Sequence, residues 1–150
     1  MKRLLLITLL GIATSVAYGQ EAYVELLRSD VKADKVAIIT EVMQLSDDEG
    51  PAFWRIYREY EFAFSKLGDE RIALIKDFAA HFESMTDEKA RELAGQSFKL
   101  EGKRTKLKKK YFKQLAKALS PITAAKFFQL DNQINMLIDL QVASELPLIQ

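Results

Sequence analysis

The chain has 150 residues, of which 49% are hydrophobic and 29% charged, and its formal net charge is +1. This composition fits one globular domain and excludes disorder along the whole chain. It has no cysteine and a single histidine, His81, which excludes disulfide scaffolds, thiolate metal sites, thiol nucleophiles and histidine-rich metal sites. With 3 prolines and 6 glycines, it has too few turn residues for an all-β fold or a glycine-rich nucleotide loop. We therefore expect a helical protein that is not an enzyme and binds no metal or cofactor.

The first segment has the pattern of a secretory signal peptide. Lys2 and Arg3 precede an apolar stretch over residues 4–17, and Ala17 and Gly19 place small residues before Gln20. The pattern predicts a signal peptide over residues 1–19, cleaved near Gly19/Gln20, followed by a single α-helical domain over residues 20–150. An uncleaved membrane anchor is the alternative, although the stretch is shorter than the ~20 residues that span a bilayer.

Apolar residues then follow helical spacing. A short first helix is predicted over residues 31–44, and a long amphipathic helix follows it. Ser46 and Glu49 form a capping box that predicts where the long helix begins. Gly68 leaves open whether this helix is continuous or broken. Its apolar face, which we expect to be core, contains Phe53, Ile56, Tyr57, Tyr60, Phe64, Leu67, Leu74, Ile75, Phe78 and Phe82.

Two further helix starts are visible. Thr86 is followed by acidic residues, which favour a helix N-terminus, and Ser120 precedes Pro121 as an N-cap precedes proline at the first helical position. An echo at an offset of 74 residues pairs Phe53 with Phe127, and it suggests two capped hairpins with related starts. The expected fold class is all-α, with about four amphipathic helices in elongated, bent helical hairpins.

The basic residues are concentrated in one block. Residues 99–117 carry 9 basic residues against one acidic residue, whereas residues 20–98 carry 10 basic and 17 acidic residues. Six of these lysines alternate in steps of four and three, which places them on one face of one helix along roughly 27 Å. We call them the lysine row: Lys99, Lys103, Lys106, Lys110, Lys113 and Lys117.

Three interpretations of the lysine row remain open. It can be a solvated face that also pairs with acids on neighbouring helices, or a docking strip for an acidic protein or unfolded client. It can also bind anionic lipid or nucleic acid. Nucleic acid is disfavoured by the export signal and by the lack of aromatic side chains interleaved among the lysines.

Other candidate sites have simpler structural interpretations. His81 has no catalytic partner at a diagnostic spacing, so we expect a structural or surface role. The acidic residues 47–49 complete a helix N-terminus and lack the spacing of a calcium loop. For Met43, Met85 and Met136 we expect core packing rather than a metal site.

Two short motifs carry a family resemblance. Residues 45–49 read Leu-Ser-Asp-Asp-Glu and residues 119–123 read Leu-Ser-Pro-Ile-Thr. Behind a signal peptide and without cysteine, they resemble the Spy/CpxP-like family of periplasmic proteins, which is known for repeated Leu-Thr-x-x-Gln motifs. Here serine replaces the threonine, and neither motif ends in glutamine. The segments 52–60, 124–130 and 144–148 resemble an uncharacterised exported branch of that family.

The resemblance implies a periplasmic, bent helical hairpin that dimerises into a cradle, with no catalytic residues. Its best-known members bind unfolded envelope proteins without ATP or restrain an envelope-stress sensor. The expected function is therefore ATP-independent, chaperone-like binding of unfolded or stress-related envelope proteins, with the lysine row as the client-binding strip. The alternative is a regulatory module that binds the periplasmic domain of a sensor. A homodimer is expected, nucleic acid is not, and contact with a membrane surface is possible but not favoured.

Overall fold

The computed structural model describes residues 34–144 and 146–148. Within these residues the elements are α1 over residues 34–43, α2 (Glu49–His81), a 3-10 turn (Phe82–Ser84), α3 (Asp87–Ala118) and α4 (Pro121–Ser144). The prediction of an all-α fold with about four helices is confirmed. The predicted signal peptide, with its cleavage site near Gly19/Gln20, lies outside the described residues. None of the helices described is both long enough and apolar enough to span a membrane.

Most of helix α1, residues 34–42, belongs to a different compact unit from residues 43–148. The described part of α1 agrees with the end of the predicted first helix. Gln44 follows it with a φ of 49°, a left-handed conformation that stops a helix from continuing.

The start of α2 is formed by a reciprocal pair of side chains. The Glu49 backbone N–H donates to Oγ of Ser46 at 3.3 Å, and the Ser46 backbone N–H donates to Oε2 of Glu49 at 3.2 Å. The Glu49 N–H also donates to the Ser46 carbonyl at 3.1 Å, so the two side chains reinforce the first turn of the helix. Beyond this start, α2 runs for 33 residues without interruption, so Gly68 does not break it.

Single hydroxyl groups cap the next two helices. The Thr86 Oγ1 accepts from the Lys89 N–H at 3.2 Å at the start of α3. At the start of α4, Ser120 Oγ accepts from the Thr123 N–H at 3.0 Å, and Pro121 occupies the first helical position. Proline is tolerated there because its missing N–H would have no partner within the helix.

The core lies where α4 packs against the α2–α3 hairpin, and it is mostly aromatic. Tyr60 stands at its centre, with ring centroids 5.5 Å from Tyr111, 5.9 Å from Phe127 and 5.5 Å from Phe128. Phe53 meets Phe127 edge to face at 5.3 Å, so the two positions that the internal echo pairs are in contact. Such offset and edge-to-face pairs add to the stabilisation that burial provides.

The rest of the hairpin is less well buried. After Tyr60, no residue of α2 is fully buried, and the apolar residues of its second half are mostly half-buried. The expectation that the aromatic series from Phe53 to Phe82 forms core therefore holds for its first part only. The expectation of core packing for Met136 is wrong, because its side chain is exposed on α4, whereas Met43 is buried.

Candidate functional site

The lysine row lies on one exposed face of α3. All six of its residues are exposed, and α3 is continuous from Asp87 to Ala118, so the row follows a single helix axis. Buried positions of the same helix, such as Leu100, Tyr111 and Leu115, lie on another side, against α2 and α4. The alternating spacing therefore places the positive charges on the solvent side.

Two other basic residues of the block, Arg104 and Lys108, turn toward α4, whereas Lys109 is exposed. Arg104 lies 3.3 Å from Asp139, and Arg71 of α2 pairs with the same carboxylate. Lys108 Nζ lies 3.6 Å from Oδ2 of Asp131 and donates to Oδ1 of Asn132 at 2.6 Å. The basic block therefore contains residues with two different roles. The lysine row faces solvent, whereas Arg104 and Lys108 hold α4 against the hairpin.

Within the row itself, Lys103 alone has an acidic partner among the described residues. Its Nζ lies 2.5 Å from Oε2 of Glu70 on α2. The interpretation of the row as a face that pairs with neighbouring acids thus applies to one lysine of six. No ion pair within residues 34–144 and 146–148 involves the others, which are Lys99, Lys106, Lys110, Lys113 and Lys117.

Apolar side chains lie beside the row on the same helix. Phe98 is 76% exposed and Phe112 is 36% exposed. They stand fourteen positions apart, so they share one side of α3. Between them, Gly102 and Thr105 leave an open, shallow depression that long lysine side chains border. Charge and apolar surface are therefore available together.

A buried polar centre connects the three long helices. The Tyr60 hydroxyl donates to Oδ2 of Asp131 at 2.8 Å, and Asp131 is 0% exposed. Burial and then the Asp131 carboxylate raise the pKa of Tyr60 well above its ordinary value of 10.0. The Asn135 side chain closes the centre by donating to the Asp131 backbone carbonyl at 2.7 Å. This arrangement holds Asp131 of α4 against Tyr60 of α2 in the core.

His81 belongs to a surface ion cluster at the far end of the hairpin. Asp77 lies 3.0 Å from His81 Nδ1 and 2.8 Å from Lys89 Nζ. The hydrogen bond from Lys89 holds the pKa of Asp77 below its ordinary value of 3.8, and the same bond raises the pKa of Lys89. Among the described residues there is no group of histidine, aspartate and glutamate arranged to hold a metal ion.

Comparison with known proteins gives no match of any kind: no family model, curated protein or solved structure is similar to this chain. The interpretation of the surface therefore rests on the geometry described above. Sequence reasoning identified the lysine row but did not single out Phe98, which is exposed beside it. Phe98 and Phe112 are separated by two intervals of seven residues, and that spacing is the signal that places them on one side of the helix.

Proposed function

We propose that the protein binds unfolded or stress-related envelope proteins without ATP, by holding their acidic segments along the lysine row. The observation that carries this proposal is a line of exposed lysines, five of which have no acidic partner within the described residues. A surface that only needed solubility would be better served by charges of both signs.

The physical argument starts from the electrostatic field of the row. Like charges along roughly 27 Å of one helix create a positive potential that attracts acidic segments before contact. Such attraction mainly raises the association rate, and it weakens as salt screens the charges. Phe98 and Phe112 then offer apolar contact to the captured segment. Charge-driven binding of this kind is weak enough for a client to leave without an energy source.

The compartment is part of the same proposal. Residues 1–19 have the pattern of a signal peptide. We infer export to the periplasm with cleavage near Gly19/Gln20. In the periplasm the protein must act without ATP. Mass spectrometry of the protein recovered from an envelope extract tests this directly, because cleavage predicts Gln20 as the first residue. An N-terminus at Met1 would contradict it.

The decisive experiment measures how the protein suppresses aggregation of an unfolding, acidic model protein at low and at high salt. Suppression is expected at near-stoichiometric ratios and should weaken as salt increases. Reversal of Lys106, Lys110 and Lys113 to glutamate should reduce client capture at least tenfold at low salt and flatten its salt dependence. Lys103 is left unchanged in this variant, because its reversal would also repel Glu70.

The matched control reverses three exposed basic residues outside the row: Arg58→Glu, Lys66→Glu and Arg91→Glu. It changes the net charge by the same amount, so an effect of total charge would appear in both variants. Equal loss in the two variants, or suppression that the row reversal leaves unchanged, would refute the role of the row. If the protein does not suppress aggregation at any ratio to the model protein, the chaperone-like function itself is refuted. One tight partner recovered from an envelope extract would then favour the regulatory module.

A further inference from the structure

The side of α3 that points away from the core contains Phe98, Gly102 and Lys106. They stand four positions apart, so each is turned about 40° from the next around the helix axis. Gly102 follows the buried Leu100 by two positions and precedes the buried Tyr111 by nine, which turns it about 160° and about 180° from them. A flat object that approaches α3 from outside therefore meets it along the line of Gly102, with Phe98 on one flank and Lys106 on the other.

Packing does not explain the glycine at this position. A Cβ atom added at Gly102 would meet no atom within 4 Å, and the same holds for Gly95, seven residues earlier on the same side. Glycine destabilises the interior of a helix relative to alanine, so neither residue is there for stability. Without a side chain, Gly102 leaves the shallow depression that the lysines border, and a small anionic group can approach the backbone of α3 there.

Positive charge and an aromatic ring occur together on this side. Three exposed lysines surround the line of Gly102, and Phe98 is 76% exposed. Residues 93–118 contain one acidic residue, Glu101, which pairs with Arg104 at 3.2 Å. We call this surface the outer side of α3: Gly95, Phe98, Gly102, Lys106, Lys109 and Lys113.

An anionic bilayer surface is the ligand that explains these features together. The buried residues of α3 lie opposite its outer side, so the outer side is a convex ridge, and a plane can touch a convex ridge along its length. Helices that lie in the headgroup layer of a membrane combine lysine with phenylalanine in this way. A soluble phosphate compound would engage the lysines but leave the Phe98 ring in water. No pattern in the sequence favoured a membrane surface, and the exposure of Phe98 supplies the reason.

We propose that the outer side of α3 binds bilayer surfaces rich in anionic phospholipid. The helix lies parallel to the membrane, its lysines meet the lipid phosphates, and the Phe98 ring enters the interfacial layer. Each lysine held near such a surface raises the binding constant about fivefold, and salt screens the attraction. The proposal does not rest on client binding. Because both ligands use lysines of the row, a bound membrane and a bound acidic client exclude each other.

Vesicle sedimentation tests the binding, with the protein as the cell produces it. It should bind vesicles of phosphatidylglycerol and phosphatidylcholine in equal parts, ignore pure phosphatidylcholine, and release the anionic vesicles at high salt. Lys106→Glu combined with Lys113→Glu should weaken binding at least twentyfold, since two favourable charges are replaced by repulsive ones. The matched control is Arg58→Glu combined with Lys66→Glu, exposed residues of α2 whose reversal changes the net charge equally and should weaken binding threefold at most.

Tryptophan fluorescence tests where residue 98 lies in the bilayer. Phe98→Trp should be quenched by anionic vesicles whose acyl chains carry bromine, because the ring enters the interfacial layer. Phe62→Trp is the control, since Phe62 is an apolar residue of α2 with 65% exposure, and its fluorescence should not change. The wild type, which has Trp54 alone, supplies the background, and far-UV circular dichroism should show all variants to be folded.

Several results would overturn the proposal. These are equal binding to the two kinds of vesicle, equal loss in the two charge variants, and an unquenched Phe98→Trp. Release of the vesicles by inorganic phosphate, at an ionic strength where chloride leaves them bound, would assign the lysines to free phosphate instead. Binding of polyglutamate without binding of vesicles would also overturn the membrane contact while leaving the proposed client binding intact, so the two can fail separately.

Discussion

Replacement of Tyr60 by phenylalanine should lower the free energy of unfolding by about 2 kcal/mol. The Tyr60 hydroxyl donates to Asp131 at 2.8 Å, and Asp131 is 0% exposed, so water cannot supply a new donor. Hydrogen bonds to charged groups contribute ~1.5–3 kcal/mol. Lys108 remains 3.6 Å from the same oxygen, which keeps the loss below the ~3–5 kcal/mol that breaking a buried ion pair costs.

Urea denaturation gives the measurement, because the chain offers two probes of folding. Circular dichroism reports the helices, and Trp54 is the single tryptophan, with its ring 5.1 Å from that of Phe53 in the core. With a urea slope of about 2 kcal/mol per molar, the midpoint should fall by about 1 M. Tyr111→Phe is the control: Tyr111 is buried, but its hydroxyl has no hydrogen bond among the described residues, so its loss should cost less than about 0.5 kcal/mol. Equal midpoints for the two variants would refute the role assigned to the buried bond.

The remaining predictions concern pH and helix capping. Because the pKa of Tyr60 is raised in the folded protein, its stabilisation is fully present below pH 10.0 and is lost as the pH rises through the folded-state value. The advantage of the wild type over Tyr60→Phe should therefore stay constant up to pH 10.0 and shrink as the pH rises further; an advantage that grows would contradict this. The pKa of Asp77 is lowered, so its contribution is present above 3.8 and is lost as the pH falls through the folded-state value. In NMR titrations, Lys89→Met should raise the pKa of Asp77, and an unchanged value would show that Lys89 is not the cause. Ser46→Ala should cost about 1 kcal/mol in urea denaturation, whereas Ser97→Ala within α3 should cost nothing; equal effects would show that capping is not responsible.

Several features of the protein follow from short stretches of sequence. The helix starts at Ser46, Thr86 and Ser120 could be predicted because a cap depends on residues three positions apart or fewer. The alignment of the lysine row also follows from local pattern, since steps of four and three keep side chains on one side of a helix whatever it packs against. The exposure of that side was decided by how α3 packs.

Helix packing decided the features that depend on distant pairs. The sequence places Tyr60 and Asp131 71 positions apart, and nothing local marks Asp131 as a buried carboxylate. Likewise, Lys103 is one of six equivalent lysines until α2 brings Glu70 beside it.

The sequence by itself determined that the chain is helical, where its long helices begin and that one helix carries a line of positive charge. Only the tertiary structure decided which charges are paired and which side of α4 faces solvent. Periodicity identifies an apolar side only when the helix has one, and the second half of α4 has apolar residues all around. Its orientation was therefore set by Asp131 and Asp139. Their partners on α2 and α3 fix which side of α4 meets the hairpin. As a result Met136, which was expected in the core, is exposed to solvent.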